Sequence, residues 1–190
     1  MNKSLILISL AALASCSPPD RRRAQVVFVE ERLTLAVGEA ISDWRASVGA
    51  DLDWVLSSTC DNDDAQCVRV KSVPEITVPI NATISKELPD ARVGGITRGH
   101  VEDVTMDLTS NVEIAEWVFS AREGVLRGML THEFGHCLGL GHLSYAGVSS
   151  LPQYEIMEPV TSKSGHDCVG PKTCAAYTEL YGTPCRANCW

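Results

Sequence analysis

The chain has 190 residues, of which 45% are apolar and 21% charged, a balance that allows one globular domain with a substantial core. Its formal net charge is −8, which argues against nucleic acid as a partner. The start "MNKSLILISLAALASC" places Lys3 before an apolar run too short to span a bilayer, the pattern of a secretion signal.

The segment ends in "LASC", which looks like a bacterial lipobox and implies cleavage before Cys16 and lipid attachment at its thiol. The expected layout is a lipoprotein signal peptide at 1–15, a lipidated N-terminus and tether at 16–24, and one folded domain at 25–190. The tether "SPPDRRRAQ" carries Pro18 and Pro19, which prevent helix, and a small basic run, 21–23, read as solvated. Ser17 follows the cysteine, which by resemblance to the Gram-negative sorting rule points to the outer membrane where the host has one. Several acyl chains anchor firmly, since each buried CH₂ is worth about 0.8 kcal/mol.

Elements follow in order. "QVVFVEE" (25–31) is β-branched and reads as a strand. "LTLAVGEAISDWRASVG" (33–49) spaces Leu33, Val37, Ile41, Trp44 and Val48 at helical intervals. "DLDWVLSS" (51–58) and "CVRVKSV" (67–73) alternate like half-buried strands. Residues 74–91 hold three prolines and no clear period, so they read as mostly loop. "RVGGITRG" (92–99) is a thin strand weakened by its glycines. "VEDVTMDL" (101–108) alternates as one strand with Val104, Met106 and Leu108 on its apolar face. His100, Asp103 and Asp107 read as a solvated strand face rather than ligands, and His166 beside Asp167 as surface.

In "SAREGVLRGMLTHEFGHCLG", Ser120 followed by Glu123 forms a capping-box pattern, which predicts a helix from Ser120 to about Leu138. Gly124, Gly128 and Gly135 each cost roughly 1 kcal/mol relative to Ala, so burial of the Leu126, Leu130 and Phe134 face must compensate. Cys137 lies on that face and reads as a buried free thiol.

This helix carries the chemistry. His132 and His136 are four residues apart, so their imidazoles share one helix face and are able to grip one metal ion. Glu133 points to the side, within reach of a metal-bound water; this is HExxH, with two zinc-binding histidines and a general-base glutamate. Gly139 ends the helix and turns the chain, so that His142 approaches the ion from a new direction. Three imidazoles leave the fourth tetrahedral corner open for water, the mark of a catalytic rather than a structural site.

After a loop-like stretch (143–155) come "IMEP" (156–159) and a short helix in "CAAYTELYG", stopped by Gly182. Of the eight cysteines, Cys60 and Cys67 bracket the loop "DNDDAQ" and suit a disulfide. Cys168, Cys174, Cys185 and Cys189 allow three pairings among which sequence does not choose; a structural zinc on them lacks the paired CxxC spacing.

"THEFGHCLGLGH" fits HExxHxxGxxH, and with "IMEP" and "TELYG" the chain resembles the matrixin branch of the metzincin metalloproteases over about residues 25–182. The resemblance implies an α+β metzincin fold, a twisted mixed sheet of about five strands with an active-site helix, a Met-turn and a C-terminal helix. It implies one catalytic Zn²⁺ on His132, His136 and His142, Glu133 as the catalytic base, Met157 beneath the metal and Pro159 as a wall of the S1′ pocket. Cys137 stands where matrixins usually carry a small residue, the gap from His142 to Met157 is longer than is common, and the propeptide cysteine switch and structural metal segments are not recognisable. The expected activity is zinc-dependent endopeptidase action on a protein or peptide by a lipid-anchored monomer. Extended substrate would lie along "RVGGITRG". Two rivals are a non-catalytic zinc-binding surface module on the same fold, which has no need of Glu133, and a hydrolase of a non-peptide amide.

Overall fold

A computed structural model describes residues 21–28, 30–60, 66–79, 92–101, 108–121, 124–143, 155–158 and 168–188. Five strands form one mixed sheet: β1 (Arg23–Phe28), β2 (Asp53–Leu56), β3 (Gln66–Val73), β4 (Gly95–Val101) and β5 (Leu108–Ala115). Their spatial order is β2-β1-β3-β5-β4. All neighbours run parallel except β4, which pairs antiparallel with β5 at one edge. Three α-helices accompany the sheet among the described residues: α1 (Thr34–Val48), α2 (Val125–Cys137) and α3 (Pro171–Tyr181). The architecture is α+β with a five-stranded mixed sheet, the coarse class that the resemblance implies.

The core is built where apolar periodicity from the two element types meets. Val37, Ala40, Ile41 and Trp44 of α1 are buried, as are Val26, Val68, Val70, Val112 and Ile114 of the central strands. Leu130 and Phe134 of α2 are fully buried too. Full burial of such a side chain stabilises by about 1.5–3 kcal/mol, which offsets the glycines of α2. Trp44 also donates from its indole to the Thr131 carbonyl at 2.8 Å, fixing α1 against α2. Arg127 of α2 pairs with Asp43 of α1 through two hydrogen bonds. No helix among the described residues is long and apolar enough to cross a membrane.

Three expectations need correction. The basic run 21–23 is not free tether. The Arg21 carbonyl accepts from Trp54 Nε1 at 2.9 Å and Gln66 Nε2 at 2.8 Å, and Arg23 opens β1. Trp54 and Gln66 are both buried and need partners for their polar atoms, so the domain starts at least as early as Arg21. Second, 101–108 is not one strand. Val101 ends β4, Leu108 begins β5, and the two are antiparallel partners, which a single extended segment cannot satisfy. Residues 102–107, with Asp103 and Asp107, lie outside the described residues, as does the side chain of His100. Third, α2 begins at Val125 rather than Ser120. Ser120 closes a 3₁₀ turn, Glu116–Ser120, and its hydroxyl donates to the Trp117 carbonyl at 2.9 Å, while Gly124, at φ 88°, is the residue before the helix. Glu123 lies outside the described residues.

Cysteine pairing bears out the expected Cys60–Cys67 bond and chooses among the C-terminal pairings that the sequence left open. Cys60 bonds to Cys67 and Cys174 to Cys185, while Cys168 is disulfide-bonded as well. Disulfide bonding removes these side chains from any structural zinc. Cys137 is free and buried.

Candidate metal centre

The C-terminus of α2 explains how three histidines within eleven residues meet. Leu140 N–H reaches back to the Gly135 carbonyl at 3.0 Å and Gly139 N–H to the His136 carbonyl at 2.8 Å. This paired closure needs a left-handed residue, and Gly139 supplies it at φ 85°. The reversal returns His142 to the face that already carries His132 and His136. The three Nε2 atoms form a triangle with 3.1 Å sides.

The second ring nitrogens decide what that triangle is. His132 Nδ1 is 2.5 Å from the Ile156 carbonyl, and His136 Nδ1 is 2.8 Å from the Leu140 carbonyl. A carbonyl accepts only, so both Nδ1 atoms carry the proton and both Nε2 atoms present lone pairs. Burial holds His132 down to about 3, with His136 adding to the effect; burial also lowers His136 and His142. Neutral imidazoles with lone pairs converging at 3.1 Å repel one another unless a cation lies among them. Ligands at about 2.0–2.1 Å in tetrahedral array stand roughly 3.3 Å apart, close to the observed spacing. His132, His136 and His142 thus form a group able to hold a metal ion.

Residues 155–158 form the floor. Met157 is buried and lies directly against Gly135, where a β-carbon would collide with its sulfur. The Met157 carbonyl accepts from Leu143 N–H at 2.8 Å, tying the chain just after His142. Glu155 is buried and accepts from Lys172 N–H at 2.8 Å, Thr173 N–H at 3.1 Å and the Thr173 hydroxyl at 2.9 Å. Its carboxylate therefore caps the start of α3, where the helix's unpaired N–H groups favour an anion. Tyr181 at the other end of α3 donates to the Leu138 carbonyl at 2.6 Å. The 155–158 turn and α3 are thus tied to each other and to the end of α2.

Glu133 projects from the same helix toward the sheet edge and is 2% exposed. Burial raises its carboxyl to about 7, while the Thr97 hydroxyl pulls it back. Strand β4 approaches so closely that a β-carbon on Gly95 would lie 2.6 Å from Glu133 Oε1 and 3.0 Å from Met129 Cγ. Gly94 is similarly pressed against Met129, Val118 and Trp117. The glycines that weaken this strand are thus what permit its contact with α2.

Of the predicted site residues, the structure brings His132, His136 and His142 together, sets Glu133 on the same helix and packs Met157 against Gly135 of that helix. Pro159 and Cys16 lie outside the described residues, as do His166, Asp167 and Cys189. Sequence reasoning missed Thr97, Glu155 and the Ile156 and Leu140 carbonyls. No family model matches the chain, and no curated protein matches it.

Proposed function

We propose that the chain is a zinc-dependent endopeptidase of metzincin type, resembling matrixins, with Glu133 as general base. The observation that carries this reading is the 3.1 Å Nε2 triangle of His132, His136 and His142 on the helix that also bears Glu133. Three neutral imidazoles leave a coordination position for water, and a neighbouring carboxylate not needed for binding suits hydrolysis better than storage.

Zinc bound there supplies Lewis acidity, lowering the pKa of its water toward about 7 and stabilising charge on the scissile carbonyl oxygen. The chain's own residues do the rest. The Ile156 and Leu140 carbonyls fix the tautomers of His132 and His136, so that both Nε2 lone pairs stay available. Glu133 accepts a proton from the attacking water and delivers it to the leaving amine. Its burial keeps the carboxylate basic enough for that exchange near neutral pH. An extended peptide adds to the open edge of β4 through main-chain hydrogen bonds. By the resemblance, Met157 would lie beneath the metal and Pro159 would wall the S1′ pocket. Cys16 carries the lipid that anchors this monomeric domain to the membrane of its host; Cys16→Ser, followed by mass spectrometry of the mature N-terminus, tests that anchor.

The deciding experiment compares wild type and Glu133→Ala, both zinc-loaded and of matched thermal stability, on a broad peptide library. The alanine variant should keep about one zinc per chain and lose hydrolysis by at least about 10²–10⁴-fold. A silent wild type would favour the non-catalytic zinc-binding module, and an active alanine variant would move the base elsewhere.

A further inference from the structure

We propose that Thr97 is the positioning residue for Glu133: its hydroxyl, projecting from edge strand β4, holds Oε2 of the carboxylate and leaves Oε1 to take the proton. This rests on the endopeptidase reading and adds a residue to it. Thr97 Oγ1 lies 2.7 Å from Glu133 Oε2 and 3.0 Å from the Glu133 backbone carbonyl. A hydroxyl has one proton to donate, and the ionised carboxylate at the shorter distance is the stronger acceptor. Among the described residues this hydroxyl is the side-chain partner of the Glu133 carboxylate.

The arrangement is built rather than incidental. Thr97 and Gly95 are two apart on β4, so they face α2 together, and their partners Val112 and Ile114 on β5 are buried on that side. Gly95 leaves room for Oε1, and Thr97 engages Oε2. Cys137, one helical turn after Glu133, is also within hydrogen-bonding reach of Thr97 and of Ser110. A carboxylate gripped at one oxygen loses rotation about its last torsion, which sets the direction of the other. General-base catalysis depends on that direction, since an error of about 1 Å costs on the order of a hundredfold.

The test uses the zinc-loaded full chain carrying Thr97→Val, which replaces the hydroxyl by a methyl, and Thr97→Ser, which restores it; Thr97→Ala stands in where valine does not fold. Thr97→Val should lower kcat by about ten- to a hundredfold with KM and zinc content unchanged, and Thr97→Ser should recover to within about threefold. A second readout does not need turnover. In ¹³C-glutamate protein, the infrared carboxylate band lost in Glu133→Gln should shift in Thr97→Val and return in Thr97→Ser. Full activity with an unmoved band in Thr97→Val overturns the proposal. So does a serine variant as impaired as valine, which would make the methyl's packing the cause. If wild type cleaves no peptide, the endopeptidase reading fails and the band alone decides: a reversible shift upholds the Thr97 grip, an unmoved band ends it.

Discussion

The two edges of the sheet are held to the same helix by opposite means. At one edge, β2 is four residues long and is anchored by a large side chain: Trp54 is buried, stacks edge-on against Phe134 of α2 at 5.2 Å, and donates to the Arg21 carbonyl. At the other, the seven-residue β4 meets α2 through the bare backbone of Gly95, pressed on Met129 and Glu133, and the short side chain of Thr97. An edge pinned by an indole keeps its backbone at a distance from the helix. An edge with only glycine and a short hydroxyl side chain brings its main chain close to a carboxylate. Brevity also protects β2 from unwanted pairing, although Val55 and Leu56 are exposed.

The edges treat sulfur differently, and the largest expected effect follows from this. Near β2, Cys60 is bonded to Cys67, whereas Cys137 beneath β4 is a free thiol that burial pushes up to about 12. At pH 8 its thiolate fraction is about a thousandfold below that of a thiol at the ordinary value of 9, so native alkylation should be slower by at least that factor. Denaturation should restore labelling, and mass mapping of alkylated peptides checks both. Rapid native labelling would place Cys137 outside the core.

Trp54→Ala should cost about 3–5 kcal/mol and lower Tm by roughly 10 °C. The zinc content and kcat of the protein that remains folded should change much less than in a Glu133 variant, because Trp54 meets α2 at Phe134 and does not touch the Glu133 carboxylate, whose side-chain partner is Thr97. Calorimetry with active-site titration separates the two. At the opposite edge, Gly95→Ala should do the reverse. Its methyl displaces Oε1 and Met129 for about 1–3 kcal/mol of stability, yet kcat should fall about ten- to a hundredfold. Equal losses of stability and rate in both variants would erase the contrast between the edges.

The smallest effect belongs to neither edge. Arg32 bridges Glu30, Ser72 and Glu116 across the ends of the central strands. Hydrogen bonds from Ser72 hold Glu30 below its ordinary value of 4.5, and those from Arg32 lower Glu116 likewise. A lowered carboxyl stabilises the fold above its unfolded value and loses that contribution as pH falls through the folded one. Glu116→Gln should therefore lower Tm slightly at pH 7, and the difference from wild type should shrink as pH falls below 4.5 and vanish once the carboxyl is protonated in the folded protein. A difference that persists in acid would point to lost packing instead of lost charge.

How far the sequence reveals this molecule depends on whether the information is local. Helix α1 was legible because five apolar residues repeat at helical spacing and all are buried. The histidine cluster was legible because one helical turn and one glycine reversal produce it within eleven residues. Strand β5 was not, since the polar pair Ser110 and Asn111 interrupts its alternation; Ser110 is buried there beside Cys137. The Ser120 and Glu123 pattern misled because a tighter turn had already taken the Ser120 hydroxyl. Thr97 lies 36 residues before Glu133, and only the placement of β4 beside β5 brings them together. The Ile156 and Leu140 carbonyls carry no side-chain signature at all, so no residue pattern announces them.

The cap that Glu155 places on α3 sets the order in which a nascent chain becomes competent. All three histidines leave the ribosome before residue 155, yet the carbonyl that orients His132 belongs to Ile156, and the carboxylate preceding it accepts, among the described residues, from Lys172 and Thr173. Until those residues emerge, the buried Glu155 lacks these donors and the turn has no fixed seat. The metal-binding triangle is thus a late event in biogenesis although its ligands are synthesised early.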